Sequence, residues 1–395
     1  MGETFGWREH RLLQGDGRGG YLVHPAAYQF VPRWNGIKVL PFGIIAMDNG
    51  ELLLMGAART GDGPSVYGET VQARSADGGA TWSPYEAVGY GPAVGLTSIG
   101  AGRLFRAGHH PEQGPVRCFS HDYGRTWPEW IPAPLTPNGH PWSNEGNALV
   151  DFGPDGKAEL IGWNSGHRSE GVEGKPFGTW PSRAFLCWSR DGGRTVEDYT
   201  YPNEWNWTDT WEGETWARSC SEGAMVRAAN GWLVAAKRLD VSARFIRHHY
   251  DSFMGTGTSV SKDEGNTWTP ISQVFEAGRH HANLQRRPNG DILLTVVRRL
   301  DIRGGELASY RLGCDAVVSR DHGLTWETDR AYILDDWPHI HYPDLGAVTG
   351  ETGDFWYGCA NGHQSSTTLD DGAILTTYGH YTHGGALIKW RPSGN

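Results

Sequence analysis

Short apolar runs of strand length alternate along the chain with clusters of glycine and small polar residues, and two punctuation patterns keep returning. The first is a tight turn ending in glycine, followed by an apolar stretch: Asn49-Gly50, Ala101-Gly102, Asp155-Gly156, Asn230-Gly231, Asn289-Gly290 and Asp371-Gly372. Asn-Gly and Asp-Gly turns join antiparallel strands, because glycine accepts the positive φ that the turn demands. Six such signals predict six β-hairpins.

The second pattern is longer and lies between the hairpins. It reads Ser75-Ala-Asp77-Gly-Gly79-Ala-Thr81-Trp82, then recurs from Ser120 to Trp127, Ser189 to Val196, Ser261 to Trp268 and Ser319 to Trp326. Within each copy the Ser and Asp side chains can bond nearby backbone N–H groups, the glycine supplies a positive φ, and the aromatic covers the turn. The third copy ends in Val196 and should pack less well. A fixed pattern repeated tens of residues apart marks an array of like units, none of which can bury its apolar faces alone. The last hairpin carries no copy, and the stretch from Trp7 to Val23 is available to supply the strand that closes the array. The prediction is one all-β domain over residues 1–395, a six-bladed β-propeller.

Composition changes this picture little. The 56 glycines and 19 tryptophans suit many turns and packed sheet faces, and no long segment has helical periodicity. No apolar run approaches the roughly 18 residues that a membrane span requires. A net charge of −10 argues against nucleic acid as a partner. The five cysteines are scattered without a Cys-x-x-Cys pair, so free buried thiols are expected in place of a zinc site or a disulfide framework. The first residues show no apolar leader core, which reads as a cytoplasmic chain as written, or a secreted or periplasmic one if a leader was removed.

The five repeats are Asp-boxes, and the chain resembles the sialidase (neuraminidase) superfamily of β-propellers over nearly its whole length. In that family the boxes lie on the face away from the active site, so no chemistry is carried onto them. Aligning the six hairpins on their turn glycines nominates the opposite end. Nine residues before each glycine stand Pro41, Ala93, Asn147, Glu222, His281 and His363. Seven to nine residues after it come Arg59, His109 with His110, Trp163, Arg238, Arg298 with Arg299, and His380 with Tyr381. Charged groups at such strand ends must be paired or solvated, so a polar pocket at the axis is expected.

The segment from Ser221 to Arg238 looks like the sialidase stretch holding a Glu and, sixteen residues on, an arginine that binds the substrate carboxylate. The resemblance implies that Glu222 is catalytic, that Arg238 and Arg298 bind a carboxylate in the bidentate way guanidinium favours, and that Arg59 stands in for the remaining arginine. Leu40-Pro41-Phe42-Gly43 departs from the family motif at the first hairpin, and His363 occupies the place of the nucleophilic tyrosine. Tyr342, Tyr378 or Tyr381 are the tyrosines near that place, and Asp62 or Glu69 would supply the acid.

These residues support an exo-acting, sialidase-like glycoside hydrolase that cuts beside an acidic sugar in an oligosaccharide or polysaccharide, without cofactor or metal. The histidines His109, His110, His281 and His363, together with the arginines, also suit β-elimination on a uronate. A non-catalytic glycan-binding propeller is the third reading, since one fold hosts many functions. Plain structural roles compete at each position: an ion pair for Glu222 with Arg238, a solvated loop for His109 and His110, and sheet packing for Trp163.

Overall fold

The computed structural model describes residues 5–59, 69–89, 91, 94–137, 139, 142, 146–168, 181–248, 251–309, 311–338, 361–380 and 383–393. Among them there is no α-helix, only short 3-10 turns such as Asn203–Trp205 and Thr328–Arg330. All six predicted hairpins form, and every one of their turn glycines has a positive φ, between 72° at Gly102 and 91° at Gly290.

Four of the hairpins extend into separate four-stranded antiparallel sheets in a propeller-like arrangement. The fourth sheet, for example, runs Cys220–Arg227, Leu233–Leu239, Gly255–Ser261 and Ser272–Phe275. The structure therefore has four free-standing blades, not the six expected from the turn count. The strands of the last two hairpins run together in one nine-stranded sheet. The cause is an N-terminal hairpin, Arg8–Gly15 with Tyr21–Phe30. Its first strand pairs with Tyr332–Pro338 through Leu13 and Gln14, and its second pairs with Gly384–Trp390 through residues Ala27 to Phe30. The closing strand expected near Trp7 to Val23 is thus a double one, and it joins two sheets that would otherwise be separate.

Packing between sheets follows from the two-residue alternation of strand side chains. Leu233 and Ala235 turn toward the third sheet and share a cluster with Leu186 and Trp188. Val234 and Ala236 turn the other way, onto Leu284, Ile292 and Leu294. A strand buried on both faces reads as a continuous apolar run, as Leu233-Val-Ala-Ala does. Burying each large apolar side chain contributes roughly 1.5–3 kcal/mol, so the sheets hold one another.

The five repeats adopt one geometry. The Ser hydroxyl donates to the Asp Oδ1 at 2.8–2.9 Å and accepts the repeat glycine's N–H at 2.8–3.0 Å. The Thr hydroxyl closes the turn on the Asp Oδ2 at 2.6–2.7 Å. Trp82 and Trp268 each add an indole N–H bond of 3.1 Å to their own turn. Val196 lies half-buried at the equivalent place and lacks that bond. The four described cysteines are buried and free.

Candidate functional site

The pair singled out by spacing lies where the register of the fourth sheet becomes irregular. From Arg227 opposite Leu233 the register runs evenly to Gly223 opposite Lys237, then slips so that Cys220 faces Leu239. Two residues, Ser221 and Glu222, therefore oppose one, Arg238. Such a bulge re-aims side chains at a strand end. Arg238 Nη2 reaches Glu222 Oε2 at 2.5 Å and Nε donates to Ser221 Oγ at 3.0 Å. Ser221 Oγ in turn donates to the same Oε2 at 2.6 Å. Gly223 is required just beyond, since a Cβ there would stand 2.3 Å from both the Ala236 carbonyl oxygen and Asn164 Oδ1.

A third side of the guanidinium faces the neighbouring sheet, where Nη1 lies 3.3 Å from His281 Nε2. Guanidinium only donates, so Nε2 is the acceptor in this contact. His281 reaches this place through the same kind of slip, because Arg279 faces Arg298 and the next pair is Ala282 with Val296. A slip also borders Pro41, and a larger one spans Gly362 to Gln364. At or beside four of the aligned positions, Pro41, Glu222, His281 and His363, strand pairing is thus interrupted.

Electrostatics fix the protonation of the pair. Burial would raise the Glu222 pKa, but the Arg238 charge outweighs it, helped by the His281 ring when charged and by the Ser221 hydroxyl, and the carboxyl is held well below the ordinary carboxylate range. Glu222 is therefore an anion at neutral pH, with its side chain 17% exposed. Both of its contacts fall on Oε2, and Oε1 has none among the described residues. Beside it on the opposite face of the strand, burial pushes the Lys237 ammonium down to about 8. That ammonium donates to the Ser165 carbonyl oxygen at 3.1 Å and lies over the Trp205 ring.

The other nominated residues scatter. Arg298 is buried and bonded to Asp336 at 2.8 Å, with Asp315 at 3.7 Å, and none of its described contacts is with Glu222 or Arg238. Trp163 is fully buried in a cluster with Phe105, Trp142 and Phe185, which corrects its assignment as a sugar-stacking face. His110 caps its hairpin turn, accepting the N–H groups of Glu112 and Gln113 at 3.1 and 3.2 Å on Nδ1, and packs on Trp130, while His109 is exposed beside it. Arg59 ends its strand opposite Lys38, and the His363 backbone lies in the strand Asn361–Thr368; their side chains lie outside the described residues, as do Asp62, Tyr342 and Tyr381 altogether. Glu69 is exposed at the start of its strand.

Tyr378 does not approach Glu222 either. It is buried and donates to Asp335, which also accepts the Tyr28 hydroxyl at 2.8 Å. Neighbouring His380 stacks on Trp337 at 4.3 Å, and burial lowers its pKa to about 4, so it is neutral. Ser221 is the contributor that spacing alone missed; its only signal was adjacency to Glu222.

At the axis, where a polar pocket is expected, the described residues leave a narrow polar channel. A channel of about 130 Å³ runs there between the first strands of the hairpins. It is lined by amides and hydroxyls, among them Asn147, Asn283, Gln285, Gln364 and Ser365, and not by Glu222, Arg238 or His281. That volume is below the roughly 300 Å³ at which ligand pockets begin. Among the described residues no group of three or more His, Cys, Asp or Glu side chains is placed to hold a metal ion, and no helix is long and apolar enough to cross a membrane.

No protein-family model matches the sequence, and no curated protein matches it in sequence. Solved structures do match in shape. A Dyadobacter fermentans protein of unknown function superposes with a TM-score of 0.61 over 92% of this chain and 98% of its own, at 19% identity. The intramolecular trans-sialidase of Ruminococcus gnavus, solved with oseltamivir carboxylate, gives 0.53 over 89% and 94%, at 11% identity. The α-L-arabinanase of Penicillium chrysogenum, solved with arabinobiose, gives 0.51 over 99% and 98%, also at 11% identity. The fold of the chain is therefore that of the sialidase-like β-propellers.

Proposed function

We propose that the protein is a carbohydrate-active enzyme, an exo-acting glycoside hydrolase of the sialidase-like type that cleaves beside a carboxylate-bearing sugar in an oligosaccharide or polysaccharide. The observation that carries this reading is Glu222, held ionised by Arg238 and Ser221 with His281 alongside, at the strand ends opposite the five Asp-box turns. Glycosidic cleavage develops positive charge on the sugar and needs a proton to leave the attacking group. A fixed carboxylate whose Oε1 has no partner among the described residues serves both demands: it stabilises the cationic sugar, and Oε1 can draw a proton from a tyrosine or water. Arg238 is largely committed to holding Glu222, so Arg59 is the guanidinium left to meet the substrate carboxylate. Asp62 is assigned as the acid, with His363 and Tyr381 as the groups completing the site. The oseltamivir carboxylate bound by the Ruminococcus gnavus relative supports an acidic sugar, and the arabinobiose in the Penicillium chrysogenum relative supports glycosidic cleavage on this scaffold.

The placement of His281 beside Arg238 favours a second reading, β-elimination on a uronate, in which Nε2, once turned from Arg238 to the substrate, removes the proton next to the carboxylate. A screen of anionic glycans with mass detection of products tests both. Hydrolysis adds water and leaves saturated products; elimination leaves a C=C bond that absorbs in the ultraviolet. Glu222→Gln should abolish most turnover while binding persists, and a fully active variant would remove Glu222 from the mechanism. A glycan bound but never cleaved by the unmodified protein would place it among the non-catalytic binders.

A further inference from the structure

A second cavity, far larger than the axial channel, opens at the rim between the fourth sheet and the nine-stranded one, with a volume of about 730 Å³. None of Glu222, Arg238 or His281 lines it. Its walls come from the N-terminal hairpin turn (Gly15 to Tyr21), from Phe275 and Glu276, and from the hairpin Asp301–Arg303 with Glu306–Ser309.

The charged groups on the floor are matched to one another. Arg279 donates from Nε to Asp315 Oδ2 and from Nη2 to Asp301 Oδ1, both at 2.8 Å. Arg303 grips Asp301 through Nε and Nη2, each at 3.0 Å, and its Nη1 donates to the Tyr21 hydroxyl at 3.2 Å. Arg244 is paired with Glu306. Guanidinium and carboxylate alternate across this part of the cavity, and Arg298, Glu276 and Asp329 also line it, so groups of both signs face the space. The Tyr21 ring, 48% exposed, stands at the mouth with its orientation fixed by Arg303. Gly19 and Gly304, with nothing within 4 Å of the Cβ position, leave the backbone open to a ligand on two sides.

We infer that this rim cavity is a second carbohydrate site, selective for a neutral, hydroxyl-rich di- or oligosaccharide. A sugar hydroxyl donates and accepts at once and so fits alternating donors and acceptors, the flat apolar face of a pyranose fits an exposed aromatic, and the volume lies inside the roughly 300–1,000 Å³ of ligand pockets. The site would hold a neutral stretch of a glycan and stands whether or not the hydrolase assignment does.

The test is saturation-transfer NMR on the full chain with lactose, cellobiose and xylobiose, and with digalacturonate as the anionic comparison. At least one neutral disaccharide should bind with a Kd of about 1 mM or somewhat weaker. Tyr21→Ala should weaken it about fivefold or more, which corresponds to about 1 kcal/mol of stacking. Tyr21→Phe should keep most of the affinity, and Glu222→Gln should leave it unchanged. The inference is overturned by no binding of any neutral disaccharide at 20-fold that concentration (~20 mM), by binding that survives both Tyr21→Ala and Arg303→Ala, by loss of binding in Glu222→Gln, or by preference for digalacturonate.

Discussion

Gly323 tests how the sheets are locked together. It is the positive-φ glycine of the fifth repeat, at φ +91°, and a Cβ on it would stand 2.6 Å from Val234 Cγ1 and 2.7 Å from Cγ2 on the strand of the preceding sheet. Gly231 offers a matched control, with φ +89° and nothing within 4 Å of the Cβ position. Alanine at either position takes a backbone conformation that costs about 1–2 kcal/mol. At Gly323 the added methyl also overlaps a packed core, for a further cost of about 1–3 kcal/mol. Gly323→Ala should therefore lose about 2–5 kcal/mol and Gly231→Ala about 1–2 kcal/mol. Urea unfolding of the two variants and the unmodified chain, followed by tryptophan fluorescence, measures both losses side by side. Equal losses would show that sheet contact at Val234 contributes nothing and would refute the reasoning from close approach.

Glu222→Gln should lower kcat by about 10²-fold or more with substrate affinity retained, if the carboxylate acts on the proton or the developing charge; steady-state kinetics on the glycan found by screening decides this. Trp163→Ala should cost about 3–5 kcal/mol of stability by opening the buried cluster, with KM unchanged in the fraction that stays folded, as thermal unfolding and kinetics would show. Burial would raise the Asp301 pKa, but its bonds from Arg303 and Arg279 outweigh this and hold it at about 2. A depressed folded-state pKa adds stability above the ordinary carboxylate range that is lost as pH falls through the folded value. Urea midpoints should thus fall between pH 4 and about 2, and Asp301→Asn should flatten that dependence.

The elements written in local chemistry were legible. Each hairpin turn and each repeat is fixed by residues within eight positions of one another, so Asn230-Gly231 or Ser75 to Trp82 carries its own geometry. The sheet count was not, because the fusion of two sheets depends on Leu13 meeting Ile333, a pairing that no local pattern encodes. The meeting of Glu222 with Arg238 was visible, since an even hairpin register brings such positions level. Arg298 stands one position further from its turn glycine than Arg238 does, so strand alternation turns it to the other face, where Asp315 and Asp336 from two other strands pair with it. Trp163 failed for a related reason: alternation says which residues share a face of a strand but not whether another sheet covers that face. Ser221 required the register slip, and slips are set by how neighbouring sheets crowd the strand end.

The N-terminal hairpin sets an order of events. Residues 21–30 are made long before their partner Gly384–Trp390, from which they are separated by most of the chain. Until then one side of Tyr21–Phe30 and the free side of Gly384–Trp390 have no mate. Closure of the circle therefore waits for Gly384–Trp390 to be made, and the nascent chain must shelter the open border of Tyr21–Phe30 until then.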